Sequence, residues 1–167
     1  GEKPFFFHRF SVSFLMIPYA HLHVHSYYSL LDGQASIARL VDKALADGMR
    51  GMALTDHGNM MGVKDFYNYV NKKKGAAAKE KKAAEAKLTA LREGTYENSP
   101  DKNGVNPDAG KTNEELIAEC EKKIEKAQRV LDFKPIYGCE MYCARRTKSD
   151  KKDKTDRSGW HLIVLAK

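Results

Sequence analysis

Three histidines alternate in the segment His21-Leu22-His23-Val24-His25. On an extended backbone, side chains two residues apart project from the same face and stand roughly 7 Å from each other. This spacing favours a metal site, because two neighbouring imidazoles on one strand can bind a single ion. A polar strand face without metal is the alternative that the pattern leaves open.

Four further residues could supply ligands to the same region, namely Asp32, His57, Glu140 and His161. Glu140 lies among apolar strand residues, where a carboxylate is costly unless it is paired or bound to a cation. Each of the others has an ordinary alternative role. Asp32 suits a turn, His57 suits a helix cap or a supporting group, and His161 suits a hydrogen-bonded core histidine.

The chemistry of this residue set points to transition metals. Imidazoles combined with carboxylates suit zinc, manganese or iron better than magnesium alone. Ions held close together can activate a water molecule and bind a phosphoryl group, which is how metal sites hydrolyse phosphoesters. The sequence contains neither a phosphate-binding glycine loop nor a Ser-His-Asp set in a recognisable context. A Walker-type nucleotide site is therefore not expected.

The first half of the chain predicts alternating strands and helices. Residues 19–24 read as a strand and Ser36 as the cap of a helix that stops at Gly48, with an apolar stripe of Ile37, Leu40, Val41, Ala44 and Leu45. Residues 51–55 read as a buried parallel strand. Asn59 is predicted to cap a second helix with an inner stripe of Met60, Val63, Phe66 or Tyr67, and Val70. Parallel strands place His25 and His57 together at their carboxyl ends.

The second half predicts a helical insertion and two more strands. Residues of about 72–133 read as an inserted helical hairpin, whose second helix starts with a capping box of Thr112 and Glu115. Its apolar stripe is Leu116, Ile117, Cys120, Ile124, Ala127 and Leu131. Residues 135–142 and 160–166 read as strands. We interpret the hairpin as a peripheral decoration, and contact with nucleic acid is the alternative.

Length and composition favour one globular unit. The chain has 167 residues, and it contains no uninterrupted apolar run of the roughly 18 to 20 residues that a spanning helix needs, so no membrane partner is expected. Three cysteines, an odd number without a C-x-x-C pair, suit reduced thiols and a cytoplasmic location. The net charge of +7 suggests an anionic partner. Residues 1–18 read as a tag or an upstream extension.

Several ordered blocks resemble one known family. His21 to Ser26 with Ser29 to Gly33 resembles the first motif of the PHP (polymerase and histidinol phosphatase) family, and Thr55 to Asn59 resembles the second. The blocks from Lys134 to Glu140 and from His161 to Ala166 are similar to the replicative polymerase branch of that family. The resemblance covers residues 19–167 apart from the insertion, so it identifies them as the N-terminal part of a PHP domain.

The resemblance implies an α/β fold, an incomplete, distorted (β/α)7 barrel of PHP type, because the third and fourth family motifs lie beyond Lys167. It implies up to three divalent metal ions in the complete domain. Asp56 would orient its neighbours, and His21 would support the site without binding metal. The implied catalytic residues are Glu140, His25 and His57, and the implied metal ligands are His23, His25, Asp32, His57, Glu140 and His161.

The resemblance also implies a role in DNA replication, as part of a DNA polymerase with a phosphoesterase or 3′–5′ exonuclease site. This chain alone would be inactive. Its expected partners are DNA, the remaining polymerase domains and a proofreading exonuclease subunit. Two alternatives stay open: a metal-stabilised structural platform for the polymerase and its proofreading subunit, and a stand-alone PHP phosphatase.

Overall fold

The structure, a computed structural model, describes residues 19–99, 106–157 and 159–167. The predicted extension at residues 1–18 lies outside them. The described elements are α1 (Ile37–Ala46), β1 (Gly51–Leu54), α2 (Val63–Glu93), α3 (Asn113–Asp132), β2 (Lys134–Cys143) and β3 (Trp160–Leu165). A 3-10 turn at Lys154–Arg157 precedes β3. The fold is mixed α/β, as predicted.

Helix α1 has the predicted cap and stop. The Ser36 hydroxyl accepts a hydrogen bond from the Arg39 N–H, and Gly48 adopts a φ of +73°, a left-handed conformation that glycine tolerates best. One face of α1 packs into the main core, which joins helices α1 and α2 to strand β1. Its buried members are Ile37, Val41, Ala44, Met52, Leu54, Phe66, Val70 and Phe133.

The central pair of strands confirms the predicted parallel arrangement. Gly51 of β1 pairs with Lys134 of β2, and the register continues to Leu54 and Tyr137. Every residue of β1 is buried. Both strands therefore point their carboxyl ends towards the same edge of the sheet, where Asp56 and Glu140 are found.

The predicted strand at residues 19–24 forms only in part. A single parallel bridge joins His21 to Met52, and the Ala53 and Thr55 N–H groups donate to the carbonyl oxygens of His21 and Val24. The segment lies beside β1, but its pairing is too sparse to make a regular strand. The reason is tertiary, because the chain turns at Ser26 to Ser29 to hydrogen-bond with Asp56, which is about 30 residues away in sequence.

The start of the second helix was predicted wrongly. Helix α2 begins at Val63, with Gly62 rather than Asn59 at its N-cap and no side-chain cap. The Asn59 amide donates instead to the carbonyl oxygens of Tyr28 and His57, and its side-chain oxygen accepts from the Met61 N–H. Asn59 thus ties two loops together. Of the predicted stripe, Phe66 and Val70 are buried, whereas Met60 and Tyr67 are exposed.

The helical hairpin forms, but its first arm is not a separate helix. Helix α2 runs without a break from Val63 to Glu93, so the arm predicted to begin near residue 72 continues the second helix. The capping box of Thr112 and Glu115 is present in α3. A small second core between the arms contains Leu91, Leu116 and Cys120.

Strand β3 pairs with β2 in the antiparallel direction, with Glu140 opposite Ile163 and Tyr142 opposite His161. The sheet order is β1-β2-β3. One face of the β2–β3 pair is exposed at Met141, Leu162 and Val164.

All three cysteines have free thiols. Among the described residues, no helix is long and apolar enough to cross a membrane.

Candidate metal centre

Glu140 lies at the centre of the candidate site. The Glu140 N–H donates to the Asp56 carbonyl oxygen at 3.1 Å, and its own carbonyl oxygen accepts from the Gly58 N–H at 2.8 Å. These bonds extend the parallel pairing of β1 and β2 by one bridge between His57 and Glu140. The residue is only 6% exposed. The backbone of Glu140 is therefore fixed within the sheet, and its side chain is largely shielded from water.

Four histidines from three separate segments surround the Glu140 carboxylate. Glu140 Oε2 lies 2.7 Å from His25 Nε2, 3.7 Å from His23 Nε2 and 3.9 Å from His57 Nδ1. Glu140 Oε1 lies 2.7 Å from His161 Nδ1. The two oxygens thus face different histidines, which is the arrangement expected of a carboxylate that bridges neighbouring cations.

His57 has a polar partner on each ring nitrogen. The Asp32 carboxylate contacts Nδ1, and the Tyr142 hydroxyl contacts Nε2. Asp32 comes from an exposed loop in which Leu31 has a φ of +76°, an unusual conformation for a non-glycine residue. The loop therefore turns sharply just before the residue whose carboxylate reaches His57.

Two buried atoms of the site lack a hydrogen bond. His25 Nε2 and Glu140 Oε2 are 2.7 Å apart, but their approach does not have hydrogen-bond geometry, and neither atom has a hydrogen-bond partner among the described residues. Unsatisfied buried polar atoms are costly, and native proteins have few of them. A cation accepting both lone pairs would remove this cost. The residues present therefore fit a divalent metal ion.

Burial and charge act in opposite directions on Glu140. Burial raises the pKa of the carboxyl group, but the hydrogen bond from His161 and the nearby rings of His57 and His25 outweigh it and lower the pKa below its ordinary value. Glu140 is therefore ionised at neutral pH. A negative charge is available in the site for a cation.

The ligand atoms form three overlapping groups, in each of which they lie within 4.8 Å of one another. The first group contains His23, His25 and Glu140, the second contains His25, Asp32 and His57, and the third contains His57, Glu140 and His161. All six predicted ligands thus come together, and His25, His57 and Glu140 each belong to two groups. Such sharing suits a cluster of ions rather than a single ion.

Asp56 supports the site through a buried set of hydrogen bonds. It is 1% exposed, and its carboxylate accepts hydrogen bonds from the Ser26 N–H and from the hydroxyls of Ser26 and Ser29, at 2.7–3.0 Å. The Ser29 oxygen in turn accepts from the His57 N–H at 3.0 Å. Asp56 therefore holds the loop that follows His25 in place, and through Ser29 this loop is joined to the backbone of His57, the next candidate ligand.

His21 stands apart from the candidate ligands, whereas Thr55 contacts one of them. The His21 ring lies near the Tyr19 hydroxyl, at 3.2 Å, and belongs to none of the three groups. The Thr55 hydroxyl lies 2.8 Å from His23 Nδ1 and leaves His23 Nε2 directed towards Glu140. Sequence reasoning did not find Thr55 or Tyr142. The signal for Tyr142 was its position two residues after Glu140, on the same strand face.

Comparison with known families places this geometry in context. The model of the PHP domain family matches residues 21–167. The chain belongs to the PHP domain family, as its motifs predicted.

Within that family the chain is similar to proteins named DNA polymerase III subunit alpha. It is 31% identical to the one from Treponema pallidum (strain Nichols) and 32% identical to the one from Borreliella burgdorferi (strain B31), in each case over 150 residues. These alignments cover 89% of this chain but 8% of each relative. The Saccharopolyspora erythraea protein of the same name is 46% identical over 55 residues, 33% of this chain and 5% of that protein. The chain thus spans about 8% of the length of the first two relatives.

Proposed function

We propose that this chain is the N-terminal part of the PHP domain of a replicative DNA polymerase of the DNA polymerase III alpha type. We further propose that its histidine and carboxylate cluster is a metal centre for phosphoester hydrolysis, as a 3′–5′ exonuclease or a pyrophosphate-removing activity. The names of the relatives that align with 89% of the chain support the first part. The remainder of the domain would close a distorted (β/α)7 barrel, and the remaining domains would carry polymerisation.

One observation supports the metal centre above all others. The buried Glu140 carboxylate faces four histidines, and two buried atoms, His25 Nε2 and Glu140 Oε2, have no hydrogen bond. An imidazole cluster evolved only for packing would satisfy its buried nitrogens internally. The unsatisfied pair is explained directly if a divalent ion binds there.

Each residue of the centre has a proposed role. The six ligands, His23, His25, Asp32, His57, Glu140 and His161, would hold up to three zinc, manganese or iron ions. When bound, such ions supply an activated water and charge neutralisation for the phosphoryl group.

The chain itself would supply the catalytic groups and their positioning. Glu140, His25 and His57 would be the catalytic residues, because each is shared by two ligand groups. Asp56 would position His57 and the loop after His25 through Ser26 and Ser29. Tyr142 would orient the His57 ring through its hydroxyl.

The decisive experiment uses the full-length protein that carries this chain, purified without other subunits. We expect His25→Ala to lose most of its bound metal and at least about 100-fold of any 3′–5′ hydrolysis of primed DNA, which corresponds to about 3 kcal/mol. His21→Ala is the matched control, because His21 lies on the same segment but outside the ligand groups. Metal content, hydrolysis and circular dichroism are measured for both variants.

A structural platform is the second candidate. The six proposed ligands come from four parts of the chain that are distant in sequence, so bound metal would join the His21–His25 segment, the following loops and strands β2 and β3. This reading predicts that wild type holds metal yet hydrolyses neither DNA nor a small phosphate ester, and that metal removal lowers the thermal midpoint. Hydrolysis of histidinol phosphate without hydrolysis of DNA would instead favour the phosphatase.

The proposed partners and location follow from the polymerase assignment. DNA, the remaining polymerase domains and a proofreading exonuclease subunit are the proposed partners, and the cytoplasm, where a bacterial chromosome is copied, is the proposed location. The free thiols of the three cysteines support a reducing compartment.

A further inference from the structure

A second concave site lies at the end of the sheet opposite the metal centre. Its cavity of about 770 Å³ is bordered by the residues just before β1, by the first residue of β2 and by the ends of α1 and α3. Because β1 and β2 run parallel, Lys134 stands at the N-terminal end of β2 whereas Glu140 lies six residues further along. At the rise of an extended strand this separation is roughly 20 Å. The two sites are therefore distinct.

Positive charge dominates the lining of this cavity. It contains four cationic side chains, Arg50, Lys74, Arg129 and Lys134, and one carboxylate, Asp132. Arg129 pairs with Glu125 at 2.6 Å. Arg50, Lys74 and Lys134 make no ion pair with any residue in the described part of the chain, whereas the neighbouring Lys73 pairs with Asp42. Three cationic groups are thus left available to an anion.

The backbone holds two of these cations side by side. The Lys134 N–H donates to the Arg50 carbonyl oxygen at 2.8 Å, and Gly51 pairs with Lys134. A Cβ atom at Gly51 would collide with the Lys134 backbone, so glycine permits the close approach. The other two cations come from α2 and α3. One loop and three elements therefore bring like charges to one cavity, which is unfavourable unless an anion offsets them.

Two negative groups, the helix C-termini and Asp132, partly offset the positive charge of the cavity. Helices α1 and α3 both end here, and each helix C-terminus carries a partial negative charge of about half an elementary charge. The Asp132 carboxylate adds a negative charge and accepts a hydrogen bond from the Gln128 side-chain amide. Leu45, Met49 and Leu131 add an apolar wall. A cavity lined by both cationic and apolar groups suits a ligand with a phosphate and a less polar body.

We propose that this cavity binds a phosphate group of a nucleotide or of a DNA backbone, through Arg50, Lys74 and Lys134. Arginine and lysine both form charge-assisted hydrogen bonds to phosphate oxygens, and such bonds are about twice as strong as neutral ones. The proposal does not depend on metal binding or hydrolysis at the other end of the sheet.

Lysine acetylation followed by mass spectrometry tests this site within the full-length protein. Inorganic pyrophosphate and a single-stranded oligodeoxythymidylate serve as separate probes. We expect a bound phosphate to slow acetylation of Lys74 and Lys134 by about fivefold, because it occupies the ammonium groups. The exposed Lys79 and Lys122, which do not line the cavity, are the control positions.

Two variants separate this proposal from its alternatives. In Arg50→Gln with Lys134→Gln, protection of Lys74 should disappear, whereas in His25→Ala it should persist, because that variant alters only the metal centre. Protection by pyrophosphate identifies a free nucleotide or pyrophosphate site, and protection by the oligonucleotide alone identifies a DNA backbone site. The proposal is overturned if neither probe protects Lys74 and Lys134, or if Lys79 and Lys122 are protected equally.

Discussion

The metal centre and the α2–α3 hairpin use charged residues in contrasting ways. Most charge pairs of the hairpin lie on exposed surfaces, often one helical turn apart, as Lys123 does with Glu119; the exception is the buried Asp108, which pairs with Lys87. In the metal centre, the buried Glu140 faces histidines that are distant in sequence. Exposed pairs contribute about 0–1 kcal/mol each, whereas a buried carboxylate depends on its neighbours for solvation. The hairpin should therefore tolerate charge changes that would disable the centre.

The two regions also differ in packing. The buried residues between the two arms of the hairpin include several small ones, Ala77, Ala84 and Ala127. The centre rests on the main core, whose largest fully buried side chains include Phe66 and Phe133. Stability near the centre is thus supplied by the whole sheet, while the hairpin depends on a narrow seam.

Replacement of Glu140 by glutamine should have the largest effect, because it keeps the shape of the side chain but removes the shared charge. We expect loss of bound divalent metal and a fall of about 100-fold or more in any hydrolysis, equivalent to about 3 kcal/mol. Elemental analysis and a primed-DNA assay measure both. Glu80→Gln, at an exposed position on α2, is the control. Unchanged metal content in Glu140→Gln would contradict the assignment of this residue.

Asp56→Ala should give the next largest effect, and it should act on folding. Three buried donors, from Ser26 and Ser29, would lose their acceptor, so the free energy of unfolding should fall by about 3 kcal/mol. Urea denaturation followed by circular dichroism measures the change. Asp65→Ala removes an exposed hydrogen bond to Tyr28 and should cost about 1 kcal/mol or less. Equal effects in the two variants would show that Asp56 has no special supporting role.

Leu91→Ala should weaken the hairpin while leaving the metal centre intact. Leu91 is buried in the small core with Leu116 and Cys120, and its truncation should cost about 2–3 kcal/mol locally. Hydrogen exchange of amides in α2 and α3 should accelerate, and metal content should not change. Coupled loss of metal would mean that the two regions are less independent than their packing indicates.

The smallest effect concerns the pH dependence of the hairpin surface. Hydrogen bonds from Lys111 and Lys123 lower the pKa of Glu119 to about 2, below its value in the unfolded chain. The stabilising contribution of Glu119 is therefore present above the unfolded pKa and is lost as the pH falls towards about 2. Thermal midpoints of wild type and Glu119→Gln should converge as the solution is acidified. A difference in thermal midpoint that stays constant with pH would argue against the contacts of Glu119 with Lys111 and Lys123.

Local sequence patterns predicted the regular elements well. The stripe and cap of α1, the buried β1, the capping box of Thr112 and strand β2 all formed as expected. Each depends on contacts within a few residues or on a simple periodicity of burial. The family motifs likewise identified six residues that the structure brings together, namely His23, His25, Asp32, His57, Glu140 and His161.

Predictions failed where a side chain had a choice of distant partners. Asn59 has the residue type of a helix cap, but it bonds to the carbonyl of Tyr28, which is 31 residues away. The histidine segment has the alternation of a strand, but it leaves the sheet to follow Ser26 and Ser29 towards Asp56. In both cases tertiary hydrogen bonds replaced the local structure that propensity favours.

The sequence by itself determined which side chains of this protein are available for metal chemistry and which segments are helical or extended, because residue type and periodicity are local properties. Only the tertiary structure decided how these groups meet: that the two oxygens of Glu140 face different histidines, that Tyr142 reaches His57, and that Arg50 stands beside Lys134. Those contacts follow from the parallel register of β1 and β2 and the antiparallel turn into β3. Strand register is fixed when the apolar faces of neighbouring strands are buried together, so it depends on segments that are far apart in sequence.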